Sequence, residues 1–101
     1  MYVISILRIR DHSFPPKPIK EEDRRYEYVK LTSLRSMEFA MDILFATIFD
    51  TVMEANAAFN IIKKPLRMLR DNKYLINAYD WSTLGIRDMQ GNLVKELSIE
   101  D

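Results

Sequence analysis

The sequence predicts an α+β domain, an antiparallel sheet of four to five strands packed on one long central helix plus a short second helix, in the order ββααβββ. Three observations predict it. Residues 2–10 and 24–34 alternate in the manner of strands, residues 36–62 repeat apolar side chains at steps of three and four, and residues 75–99 return to short apolar runs broken by a turn. Runs of strand on either side of a helical stretch favour one antiparallel sheet laid on the helix.

The opening strand, residues 2–10, sets Tyr2, Ile4 and Ile6 on one face and Val3, Leu7 and Ile9 on the other. Both faces are apolar, so the strand is expected inside the sheet with cover on each side, with Arg8 and Arg10 snorkelling out from the Ile4 and Ile6 side. Residues 11–23 form the one long connection, stiffened by Pro15, Pro16 and Pro18. Pro15, Pro18 and Lys20 match the spacing that aromatic SH3-type grooves accept, but short proline patterns recur widely by chance, and a stiff connector between two strands is the favoured reading. Residues 24–34 then alternate Tyr26, Tyr28, Lys30 and Thr32 against Glu27, Val29, Leu31 and Ser33, and are expected to pair antiparallel with the first strand.

The central helix is expected over residues 36–62, capped by Ser36 or by Ser33, with Glu38 facing the positive end of its dipole. Its stripe reads Met37, Met41, Leu44, Phe45, Ile48, Val52, Ala55, Phe59 and Ile62, within roughly 100° of arc. The far side should be polar, yet Phe39, Ile43, Phe49, Met53 and Ile61 interrupt it. A helix apolar on two sides is buried on two sides, either by its own chain or by another molecule. Lys64 before Pro65 should end this helix near Lys63, and Pro65 can open a second helix to about Asn72. Continuation through a kink is the alternative.

Residues 75–81 read as a third strand, with Leu75, Asn77, Tyr79 and Trp81 on one face. Residues 84–87 and 93–99 bracket Asp88-Met89-Gln90-Gly91, where Asp in the first turn position and Gly in the fourth fit a type I turn closing a terminal hairpin.

Composition bounds the function. One domain is expected from 101 residues, and 15 basic against 15 acidic residues leave no net field to draw in nucleic acid or an anionic membrane. The absence of cysteine rules out disulfides and thiolate chemistry. The first residues lack the basic start and the cleavage site of a signal peptide, and acidic residues interrupt residues 36–62, so a soluble, cytoplasmic protein is expected.

Gly85 and Gly91 are the whole glycine complement, too few for a phosphate-cradling loop or a dinucleotide fingerprint. His12 lies beside Asp11 and Ser13, but triad members converge from separate elements, so a solvated loop histidine is the simpler reading. Glu38 with Asp42 and Asp50 with Glu54 are spaced like helical metal ligands, yet on one helix the two pairs point in different directions. No catalytic residue, metal or cofactor is expected.

The expectation is therefore a non-catalytic protein-interaction module with a regulatory, inhibitory or assembly role. It binds a partner protein or a second copy of itself through Phe39, Ile43, Phe49, Met53 and Trp81. The alternative is a nucleic-acid-binding module that tracks phosphates with Lys63, Lys64, Arg67, Arg70 and Lys73 and stacks bases on nearby aromatics. An enzyme with a carboxylate-based site ranks third.

Overall fold

The computed structural model describes residues 1–72 and 78–100 and consists of an antiparallel five-stranded sheet with one helix against it. The strands are β1 (Tyr2–Arg8), β2 (Arg25–Leu31), β3 (Met37–Ala40), β4 (Tyr79–Asp88) and β5 (Leu93–Glu96), and the helix is α1 (Val52–Asp71). Strand order is β3-β2-β1-β4-β5, so the most apolar strand is central and the two four-residue strands are the edges. Short edges limit the row of unpaired backbone groups that would otherwise recruit another chain.

The register sorts side chains onto two faces. Ile4 opposite Ile86 and Ile6 opposite Glu27 point toward α1, while Val3 opposite Arg87 and Ser5 opposite Tyr28 point away. The helix covers the first face with Ala55, Phe59, Ile62 and Leu66, a stripe at steps of three and four. Ile4, Ile6, Val29 and Ile86 meet it and are fully buried. The C-terminal residues Leu97 and Ile99 close this core from the side.

The segment expected as one helix over residues 36–62 is three things instead. Residues 37–40 are the edge strand β3, residues 43–45 a single 3-10 turn capped by Asp42, and only from Val52 does the chain become α-helical. Thr51 is the actual N-cap, its hydroxyl accepting from the Glu54 amide at 3.1 Å while the Glu54 carboxylate accepts from the Asp50 amide at 3.2 Å. That is the physics of a capping box. Backbone partners from distant strands hold residues 47–49 out of a helix. Thr47 bridges to β2, its amide donating to the Val29 carbonyl and its hydroxyl accepting from the Leu31 amide, and Phe49 exchanges both backbone bonds with Tyr2 at 2.8 Å. Residues 47–49 thus wedge between β1 and β2 where the two strands part.

Past Lys63 the helix does not stop. It runs through Pro65 to Asp71, so the expected second helix is the end of the first. A proline in this place removes the bond to the carbonyl of Ile61, a residue on the exposed side where water can replace it.

The expected third strand and the first arm of the hairpin merge into β4; residues 75–77 lie outside the described residues. Between them is an irregularity where Ser5 and Leu7 pair with Gly85 and Asp80. The Leu7 amide finds its partner there in the Thr83 hydroxyl at 2.9 Å. The terminal hairpin forms as expected, with Gly91 at φ 89 and the Asp88 carboxylate accepting from the amides of Gln90 and Asn92.

At Gly85 the β5 strand leaves no room for a side chain. A Cβ there would lie 2.6 Å from Leu93 Cδ1 and 2.9 Å from the Lys95 carbonyl oxygen, which is backbone and cannot rotate away. Gly85→Ala is expected to lower unfolding free energy by about 1–3 kcal/mol, the usual scale for forced overpacking, as measured by urea denaturation. Exchange protection should fall first at β5 amides.

Candidate functional site

Two features stand out from the scaffold, a buried polar cluster under one end of the sheet and an apolar surface on residues 41–48. The cluster joins three strands. Arg8 on β1, Glu27 on β2 and Tyr79 on β4 are each less than 8% exposed. Arg8 Nη1 donates to the Tyr79 hydroxyl at 2.9 Å and to Glu27 Oε2 at 3.3 Å, and the Tyr79 hydroxyl donates to Glu27 Oε1 at 2.8 Å. The remaining guanidinium nitrogens donate to the carbonyls of Arg10 and Asp11. Arg8 does not snorkel to water as expected, because Glu27 and two loop carbonyls satisfy it inside. Burial first and the Glu27 charge second raise the Tyr79 hydroxyl far above its ordinary value, keeping it a donor.

A groove of about 250 Å³ opens beside the cluster, reaching Asp11, His12, Glu27 and Met41. His12 is mostly exposed, with Nε2 3.9 Å from Glu27 Oε2. Asp11 is occupied otherwise: its carboxylate accepts from the Lys17 amide at 2.9 Å, and from the amide and hydroxyl of Ser13. Those bonds, the Lys17 amide foremost, hold its pKa at about 2. The Asp-His-Ser run is therefore a loop staple with a histidine on its surface, and the Ser13 hydroxyl is turned to Asp11 rather than to His12.

Three of the four carboxylates with metal-like spacing have separate structural partners, and Asp50 gives its amide to the Glu54 carboxylate. Glu38 pairs with Lys30 at 3.6 Å, Asp42 caps the 3-10 turn, and Glu54 caps α1. Among the described residues no group of three or more His, Asp or Glu is placed to hold a metal ion.

The five residues expected to meet a partner do not share a helix face. Phe39 on β3 and Trp81 on β4 are half-buried in one aromatic group with Tyr79, with ring centroids 4.7 Å apart for Phe39 and Tyr79. Phe49 is in the core, and Ile43 is half-buried in the 3-10 turn. Met53 is 82% exposed on the first turn of α1.

Residues expected to face the core take the opposite place. Met41, Leu44, Phe45 and Ile48 are 71%, 81%, 63% and 42% exposed. Four large apolar side chains thus reach solvent within eight residues. The only charge among them is Asp42, itself exposed, whose carboxylate accepts from the Leu44 amide at 2.9 Å. The sequence carried a signal for this in Thr51-x-x-Glu54, which marks a helix start and detaches everything before it from the helical stripe.

Of the basic residues, Arg67 donates to the Ile99 carbonyl and Arg70 is bonded to Asp71 and Glu100, so both hold the C-terminal segment against α1. Lys63 lies 5.4 Å from the Phe59 ring centroid, Lys64 is exposed, and Lys73 lies outside the described residues. Among the described residues no helix is long and apolar enough to cross a membrane.

Compared with protein families, curated proteins and solved structures, the chain matches none.

Two outcomes follow from the polar groups. Glu27→Ala strands the Arg8 cation in a buried site and should cost about 3–5 kcal/mol in denaturant unfolding, whereas the double change Arg8→Met with Glu27→Leu, which removes both charges, should cost much less. The Asp11 staple has a carboxyl pKa lowered on folding from 3.8 to about 2. Its contribution is complete above the ordinary carboxylate range and disappears as pH falls through about 2. Exchange protection of the Lys17 amide should therefore persist at mildly acidic pH and fade only near the lower value, and Asp11→Ala should abolish it at every pH.

Proposed function

We propose that this chain is a non-catalytic protein-interaction module that docks through Met41, Leu44, Phe45 and Ile48, and that the occupant is a second copy of the chain. The observation that carries the reading is the exposure of these four side chains in a segment held at both ends by backbone pairing. Solvent-facing apolar groups are ordinary singly, but a continuous set is characteristic of a contact surface.

Self-association is favoured by charge. A two-fold contact sets a surface against its own copy, so any net charge on it would meet like charge. This segment has a single charged residue, Asp42, so a two-fold contact sets at most one like-charge pair against itself, and the whole chain has equal numbers of acidic and basic residues. Residues on the neighbouring sheet face, Tyr26 and Tyr28, border the same surface through a groove that they share with Met41 and Ile43. Amphipathic aromatics at such a border are common anchors of binding energy.

Sedimentation velocity over a wide concentration range tests this. The wild-type chain is expected to form a dimer that Leu44→Asp or Phe45→Asp dissociates, with the monomer's fold retained because both residues are exposed in it, and with thermal stability falling only by the part that association supplies. A monomer at every concentration, or a dimer indifferent to both changes, overturns the proposal.

A further inference from the structure

On the sheet face away from α1 is a cation with no acidic partner. Arg87 of β4 is 7% exposed, and among the described residues none pairs it with a carboxylate. Its Nη1 donates to the Ser5 carbonyl at 3.3 Å and to the Ser5 hydroxyl at 3.0 Å, its Nη2 to the Tyr26 hydroxyl at 3.4 Å, and its guanidinium lies 4.3 Å from the Tyr26 ring centroid. All of these partners are neutral. Arg8, on the opposite face and equally buried, has Glu27. A buried charge without a counter-charge is costly, and neutral acceptors offset that cost only in part.

The guanidinium also has an edge left over. Nε makes no bond with the described residues, yet no buried polar side-chain atom among them is without a partner. Nε is therefore not sealed from solvent, and Arg87 lines a groove. That groove, about 270 Å³, runs between the 3-10 turn and the β4–β5 turn over Val3 and Ser5, with Tyr28 and Ile43 on one side and Met89 on the other. Asp88 also lines it, but its carboxylate is engaged with the amides of Gln90 and Asn92 and with Asn92 Nδ2.

We propose that this groove is a carboxylate-binding site, with Arg87 as the anchor and Val3, Ile43 and Met89 as the seat for an apolar group next to the carboxylate. With Nη1 engaged by Ser5 and Nη2 by Tyr26, the Nε edge of the planar guanidinium is the part left for a carboxylate, and such a charge-assisted bond is stronger than a neutral one. The groove has room for one side chain or a small acid rather than a large cofactor. The groove borders the self-association surface, sharing Ile43, Tyr26 and Tyr28 with it, while its anchor Arg87 lies outside residues 41–48, so Arg87→Lys tests this site and Leu44→Asp or Phe45→Asp tests the other.

The test uses the full chain with ¹⁵N-labelled arginine and two matched pairs of probes. These are 3-phenylpropionate against 3-phenylpropionamide, and acetyl-Leu-Glu-Leu-amide against its Gln counterpart. Saturable shifts of Arg87 Nε–Hε and the Ser5 amide are expected with a carboxylate, and binding about tenfold weaker or worse with the matching amide, the scale of one charged hydrogen-bonded pair. Response to the peptide identifies an acidic segment of a protein as the source; response to the free acid alone identifies a small carboxylic acid. Arg87→Lys keeps the charge but loses the fork and should weaken binding several-fold with the fold retained. Equal shifts from acid and amide, no shift from either acid, or equal displacement by inorganic phosphate overturns the proposal, and none of these readings needs a variant to fold.

Discussion

The Arg8–Glu27–Tyr79 cluster is the constraint on which the rest of the structure depends. It fastens three adjacent strands by side chains at one end of the sheet, and the Tyr79 ring extends the contact to Phe39 on the β3 edge. Four of five strands are thereby fixed in register by one group of residues. A one-residue slip of any of them would move a charge out of reach of its partner and turn an apolar face outward, so the cluster penalises alternative pairings more than it adds raw stability. With the register fixed, Ile4, Ile6 and Ile86 form a continuous surface, and α1 has only one place to lie.

The two faces of β1 solve the same problem in different ways. Toward α1 the strand is covered by a helix, and its one cation is neutralised by a carboxylate. Away from α1 no α-helix lies among the described residues, and Val3 and Ser5 are buried under side chains of the sheet itself, chiefly Arg87 laid against Tyr26. The sequence suggested that both faces were covered, since both are apolar. It did not indicate that long polar side chains would provide one of the covers.

Much of the fold was legible because it rests on local pattern. The alternation in β1 and β2, the Asp88–Gly91 turn with its left-handed glycine, and the stripe from Ala55 to Ile62 are each decided by residues close in sequence. Residues 37–50 were misread as helix because Met37, Phe39 and Met41 fit a period of two as well as helical steps of four. What decides between them is distant: Thr47 bonding to β2 and Phe49 pairing with Tyr2. The same misreading inverted the surface, placing Met41, Leu44 and Phe45 in the core and Phe49 outside it. Pro65 was read as a boundary, but a helix packed along its length by Ala55, Phe59, Ile62 and Leu66 absorbs the loss of one backbone bond.

The wedge of residues 47–49 between β1 and β2 has a consequence for the segment before it. Residues 41–46 are bounded by Ala40, paired to Tyr28, and by Thr47, bonded to Val29, and a capped 3-10 turn shortens the span further. A span so short and so pinned has little conformational freedom left to lose. Whatever settles on Leu44 and Phe45 meets side chains on a backbone that folding has already ordered, so little of the contact energy is consumed in arranging the surface. The ordering entropy that a flexible loop would surrender on binding is here surrendered once, when the sheet forms.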